Sequence, residues 1–217
     1  MADLIIEVLP YAIGVFASPL PVIIAIVMLF TPRPLPTSVT YVVTWIAGLT
    51  AVTVVLTLLA SRLPGAQGDG GWGAWLRVAL GVILIAVAVR MWLGRSRESA
   101  PAWLSALIDA EPREAVRYGL LMSAANPKEL LMATAAALVV GGSDVGPATA
   151  AGVIAVFILV GAASVAAPLA VFVLGGRSTL ETLTRAREWL QRNSVMVAAA
   201  VLAAIGLILL VGGAVKL

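Results

Sequence analysis

Ala125-Asn126-Pro127-Lys128-Glu129 interrupts an otherwise apolar segment, placing a proline that breaks helical bonding beside two ionisable groups where lipid would surround them. Ala17-Ser18-Pro19-Leu20-Pro21 stands in the same relative place in the first apolar segment. Read together, the two stretches are the facing halves of one intramembrane binding site.

The 217 residues are 61% hydrophobic and only 12% charged, far from soluble averages of roughly half apolar and a quarter charged. The composition is that of an integral membrane protein. Cysteine and histidine are absent, which removes disulfides, thiolate and imidazole metal sites, Cys or His nucleophiles and His proton relays. With no Gly-rich phosphate loop or carboxylate dyad either, the expectation is a protein that is not an enzyme and carries no cofactor or metal. The net charge of +3 comes from Arg in loops; it suits an anionic membrane surface and gives no case for nucleic acid. Asp3 and Glu7 stand where a signal peptide would be basic, so the first segment is expected to stay in the membrane.

A spanning helix needs about 20 mostly apolar residues. Six stretches meet that criterion, roughly 5–30, 38–61, 73–94, 116–140, 146–174 and 194–215. The fifth is long, so it should tilt, or kink at Pro168. Arg33, Arg90, Arg95, Arg97, Arg113, Arg117, Arg177, Arg185, Arg187 and Arg192 flank one side, against Arg62, Arg77 and Lys216 on the other. The positive-inside rule then puts both termini outside in a multi-pass membrane protein. Two amphipathic pieces, Ser99–Ala110 with Trp103, Leu104, Leu107 and Ile108, and 179–192 with Leu180, Leu183, Trp189 and Leu190, are expected on the membrane surface.

The predicted fold is all-α, with six transmembrane helices in two inverted three-helix repeats, 1–94 and 95–217, the second preceded by a cytoplasmic amphipathic loop. Helices 1 and 4 are the broken ones. Placing Ser18 over Asn126 also places Pro19 over Pro127 and brings Tyr11 within one position of Tyr118. Three spans per half make the second half inverted, a transporter layout in which one half rocks against the other.

Pro19, Pro21 and Pro127 each remove a backbone donor, and in lipid the freed carbonyls are tolerated only where they are buried or face a polar cavity. The breaks should therefore point inward, making Ser18, Pro19, Pro21, Asn126, Pro127 and Lys128 candidate substrate-binding residues. Lys128 could receive a phosphate, sulfate or carboxylate, helped by the helix N-terminus that Pro127 opens; Glu129 could be its charge partner or a proton-coupling carboxylate. The threonines of the second segment, of which Thr40 and Thr44 share a face, are expected to bond back to their own helix carbonyls or across helix contacts.

Phe16-Ala17-Ser18-Pro19-Leu20-Pro21, the loop Pro101-Ala102-Trp103-Leu104, Gly119 through Asn126-Pro127-Lys128-Glu129-Leu130, and Trp189-Leu190-Gln191-Arg192-Asn193 together resemble the peptidoglycolipid (sulfolipid) addressing proteins, a branch of the lysine exporter superfamily. The resemblance spans nearly the whole chain. It implies six helices in two repeats, residence in the plasma membrane of actinobacteria or similar organisms, and a role in moving lipids or glycolipids toward the cell surface. The family's usual residue after Asn-Pro-Lys is Asn, where this chain has Glu129.

The expected function is translocation or export of a lipid or glycolipid with an anionic headgroup, by alternating access around a midplane site. Two alternatives stay open: an exporter of small hydrophilic solutes such as amino acids or cations, and a non-transporting accessory factor of a glycolipid export machine. A homodimer or a larger export complex is compatible with each. The scarcity of polar residues favours lipid.

Overall fold

The structure is a computed structural model that describes residues 1–62, 72–94 and 107–215, without the side chains of 72–74, 76 and 77. The loop motif at 101–104 and most of the amphipathic piece 99–110 lie outside the described residues, apart from a 3₁₀ turn at 107–109 in which Leu107 is buried. Among the described residues the chain is helical, with no strands.

The helices are α1 (Ala2–Phe16), α2 (Pro19–Met28), α3 (Pro34–Ala60), α4 (Trp72–Leu93), α5 (Pro112–Ala124), α6 (Pro127–Gly141), α7 (Pro147–Gly175) and α8 (Leu180–Ala214). Proline opens five of them, α2, α3, α5, α6 and α7, because its missing N–H costs nothing in a first turn and its fixed φ is already helical. At α5 a reciprocal capping box between Glu111 and Glu114 adds to this. α3 and the helical run Pro147–Ala214 are long and apolar enough to cross a membrane, and the pair α1/α2, bent by 51° at its break, makes a third candidate span. These apolar helices make this a membrane protein.

The run Pro147–Ala214 turns at Gly176, where φ is 61° and ψ −152°, a region open essentially to glycine. Beyond the turn, α8 is one helix of 35 residues. The stretch 179–192 is therefore not a separate surface piece but the first turns of the last helix. No Gly or Pro occurs between Leu180 and Ile205 to stop it. At 1.5 Å per residue α8 is about 52 Å long, well beyond a hydrocarbon core of about 30 Å. Its first turns are anchored by Leu183, buried against Ile26, Leu29 and Phe172, while Trp189 is exposed. Pro168 is accommodated within α7.

The packing pairs α1 with α7 and α3 with α5, α2 with α7 and α3 with α6, α3 with α7, and α4 with α8. Exchanging α1–α4 for α5–α8 maps α1·α7 onto α3·α5 and α2·α7 onto α3·α6 and leaves α3·α7 and α4·α8 unchanged, whereas α1 on α6 and α2 on α8 have no equally extensive counterpart. Inside lipid, helices associate by close approach at small residues, since tails are as apolar as the side chains they would replace. Two close contacts correspond in position. Gly48, fifteenth residue of α3, faces Ser123 three residues before the Asn126 break; Gly161, fifteenth residue of α7, faces Val15 three residues before the Ser18 break.

The α4·α8 crossing is reciprocal as well. A Cβ on Gly81 would lie 2.7 Å from the carbonyl oxygen of Gly206, and one on Gly206 would lie 2.9 Å from the carbonyl oxygen of Gly81. Each glycine opens the same pattern, Gly81-Val82-Ile83-Leu84 and Gly206-Leu207-Ile208-Leu209. The central core gathers Tyr11, Val15, Ile24, Tyr41, Trp45, Met132, Phe157 and Val165 around the two breaks.

Candidate functional site

Two residues separate α1 from α2, Ala17 and Ser18, and two separate α5 from α6, Ala125 and Asn126. Ser18 and Asn126 hold the same place, each an extended residue (φ −90°, ψ 104° and φ −75°, ψ 118°) followed by Pro at the first helical position. Their side chains act differently. Asn126 Oδ1 caps its own helix, accepting from the Lys128 backbone N–H at 3.1 Å. Ser18 makes no cap and turns its hydroxyl across to the other break.

Two carbonyls at the end of α1 are left without helical donors. The Ser18 N–H bonds to Val15 O at 3.0 Å instead of reaching back to Gly14 O. Pro21, which would have served Ala17 O, has no N–H. The Lys128 ammonium takes both, donating to Gly14 O at 2.8 Å and Ala17 O at 3.2 Å, and it donates its third proton to Ser18 Oγ at 2.7 Å. A cation at the carbonyl end of a helix also meets the negative end of its dipole. Ser18 Oγ in turn donates to Glu129 Oε1. Glu129 is fully buried in the first turn of α6, where the positive end of that dipole faces it, and its Oε2 has no hydrogen-bond partner. Lys128, Ser18 and Glu129 thus form one relay between the two halves of the chain.

At the first break Ser18, Pro19 and Pro21 are buried, and Ala17 and Leu20 are half-buried. At the second, Ala125 and Pro127 are exposed, while Lys128 and Glu129 turn inward. The expectation that both breaks face the interior therefore holds for the first break only. Pro127 begins α6 on its outer face, and the next two side chains come round to the inner one. The structure brings Ser18, Lys128 and Glu129 into contact; Pro19 and Pro21 act by removing donors, and Asn126 by capping α6.

Sequence reading passed over the other partners. Gly14 and Ala17 contribute only carbonyl oxygens, which no side-chain pattern reveals. Tyr41 is fully buried and donates to Pro21 O at 3.0 Å. It lies on one face of α3 with Thr37 and Trp45, at steps of four residues. Thr37 Oγ1, the neighbouring Ser38 Oγ and Trp45 Nε1 are buried without a hydrogen-bond partner. That spacing was the available signal. Thr44, Thr50, Thr53 and Thr57 bond back to carbonyls of their own helix, as expected.

Helices broken at proline, with an ammonium from one break seated on the carbonyls of the other, define a helical membrane protein built around a buried polar junction. The family model described as Sap, sulfolipid-1-addressing protein, matches residues 8–214, and the chain belongs to that family. The resemblance carried by the Asn-Pro-Lys stretch is met at the level of the family. No curated protein and no solved structure matches the chain significantly.

Proposed function

We propose that this protein translocates a lipid or glycolipid with an anionic headgroup, in keeping with the sulfolipid of the family's name. The observation that carries the reading is the Lys128–Ser18–Glu129 relay, a charge-assisted hydrogen-bonded contact between two proline breaks inside apolar helices, where ionisable groups are costly.

In this reading 1–94 and 95–217 are inverted three-helix repeats, giving six spans in the plasma membrane with both termini outside, on the pattern of the lysine exporter superfamily. The reciprocal contacts Gly48–Ser123 and Gly161–Val15, and Gly81 with Gly206, support the repeat. In the conformation described, all three Lys128 protons are donated to the first half. An anionic headgroup reaching Lys128 competes with Gly14 O and Ala17 O, so binding loosens the contact between the halves. Substrate then favours the other arrangement because it binds the separated breaks better.

Ser18, Asn126 and Lys128 are the polar contacts for the headgroup, Pro19, Pro21 and Pro127 hold the breaks open, and Glu129 couples protons. The exposed apolar faces, among them Val54, Val55, Leu58, Leu59 and Leu159, suit acyl chains. The test is flux of labelled anionic lipid across liposomes containing the purified protein alone. Movement without partners supports a transporter, and its absence favours an accessory role in a larger machine.

A further inference from the structure

The cradle that holds the Lys128 ammonium is made of oxygens from one short stretch: Gly14 O at 2.8 Å, Ala17 O at 3.2 Å and Ser18 Oγ at 2.7 Å. One bond behind it lies the Glu129 carboxylate, fully buried, with Oε2 unpartnered. Carbonyl, hydroxyl and carboxylate oxygens are the donor set that hard cations select, and unwound carbonyls at a broken helix are where membrane transporters bind monovalent ions. An ammonium group and a potassium ion are of similar size.

Lys128 does not leave this cradle without something to replace its charge, either a proton on Glu129 or a cation. Its departure would strand two carbonyls that have no helical donor and a buried carboxylate with no counter-charge, and a buried charge stripped of its partner is strongly destabilising. We propose that Gly14 O, Ala17 O, Ser18 Oγ and Glu129 form a monovalent-cation site. Lys128 fills it as a tethered ammonium in this conformation, and a free potassium-sized cation takes it when Lys128 is drawn away. The part played by substrate in drawing Lys128 away rests on the transport reading above; the site itself does not. Coupled to transport, it makes each headgroup bound at Lys128 bring one cation into the cradle.

The experiment needs no lipid substrate. Lys128→Met keeps an unbranched apolar stem, ends one atom short of the ammonium position and so leaves the cradle open, and removes the charge. The full-length variant, purified in detergent, is titrated with radiolabelled rubidium in choline chloride. Saturable binding of one ion per chain is expected, displaced by potassium and ammonium but not by choline. Wild type should show none, and Lys128→Met/Glu129→Gln should bind at least tenfold more weakly.

The variant should also unfold at a temperature several degrees higher in rubidium chloride than in choline chloride at equal ionic strength. A variant that folds only with rubidium or potassium present supports the site, and one unfolded in every salt overturns it. No saturable rubidium binding by Lys128→Met, or equal binding by the double variant, overturns it as well. Rubidium binding without lipid flux leaves the site standing and removes the transport reading; flux without rubidium binding does the reverse.

Discussion

The Lys128 ammonium sits 2.8 Å from the carbonyl oxygen of Gly14, a residue of the other half of the chain. This contact substitutes a side chain for a helical donor that Ser18 diverts to Val15. It ties the end of α1 to the start of α6, and any movement between the halves must break it or carry it along.

Removing the ammonium should remove lipid movement. Lys128→Ala is expected to abolish flux in liposomes while the protein, extracted in potassium chloride, is still recovered as a folded species. Lys128→Arg keeps the charge but brings a planar fork to a cradle shaped for a compact ammonium, and should recover only part of the rate. Full flux in Lys128→Ala would end the case for Lys128 as the headgroup contact.

Glu129 is tested separately, because it differs from its neighbour in burial and in role. If it couples protons, Glu129→Gln preserves shape and the Ser18 hydrogen bond while removing ionisation, and flux should lose its dependence on pH. A pH profile identical to wild type would reject proton coupling through this residue.

The α4·α8 crossing makes a prediction about stability. With Gly206 O only 2.7 Å from a Cβ built on Gly81, Gly81→Ala forces the two backbones apart. It should destabilise by about 1–3 kcal/mol, the usual range for overpacking a close contact. Gly212, with nothing within 4 Å, is the control: Gly212→Ala should be neutral, or stabilise by up to about 1 kcal/mol through helix propensity. Thermal unfolding in detergent compares the two. Equal effects would mean that the crossing is not close.

Topology can be read on a background with no cysteine to remove. Asp144, in the connection between α6 and α7, and Ser178, in the 3₁₀ turn before α8, are both exposed. In intact cells Asp144→Cys should react with a membrane-impermeant maleimide, and Ser178→Cys should react only after permeabilisation. The opposite pattern would invert the proposed orientation.

Much of this protein is local, and the local part was legible. The apolar runs, the proline-opened helices and the paired breaks at Ser18-Pro19 and Asn126-Pro127 follow from hydropathy and from the missing N–H of proline, properties of residues a few positions apart. Membership of the family could be read from the same stretches. What local rules could not supply was the end of the amphipathic stretch 179–192, which reads as a separate surface helix. Leu183, packed on Ile26, Leu29 and Phe172, and the lack of any breaker before Gly206 carry it into α8 instead.

The tertiary structure alone decided what the charged residues do. From sequence, Lys128 reads as a cation for an anionic group, and Glu129 as its charge partner or a proton-coupling carboxylate. Folded, Lys128 has spent its three protons on Gly14, Ala17 and Ser18, and Glu129 is the fully buried terminus of the relay. The reason is physical: a sequence shows which groups lose a partner at a proline. Which distant group replaces that partner depends on how the two halves pack.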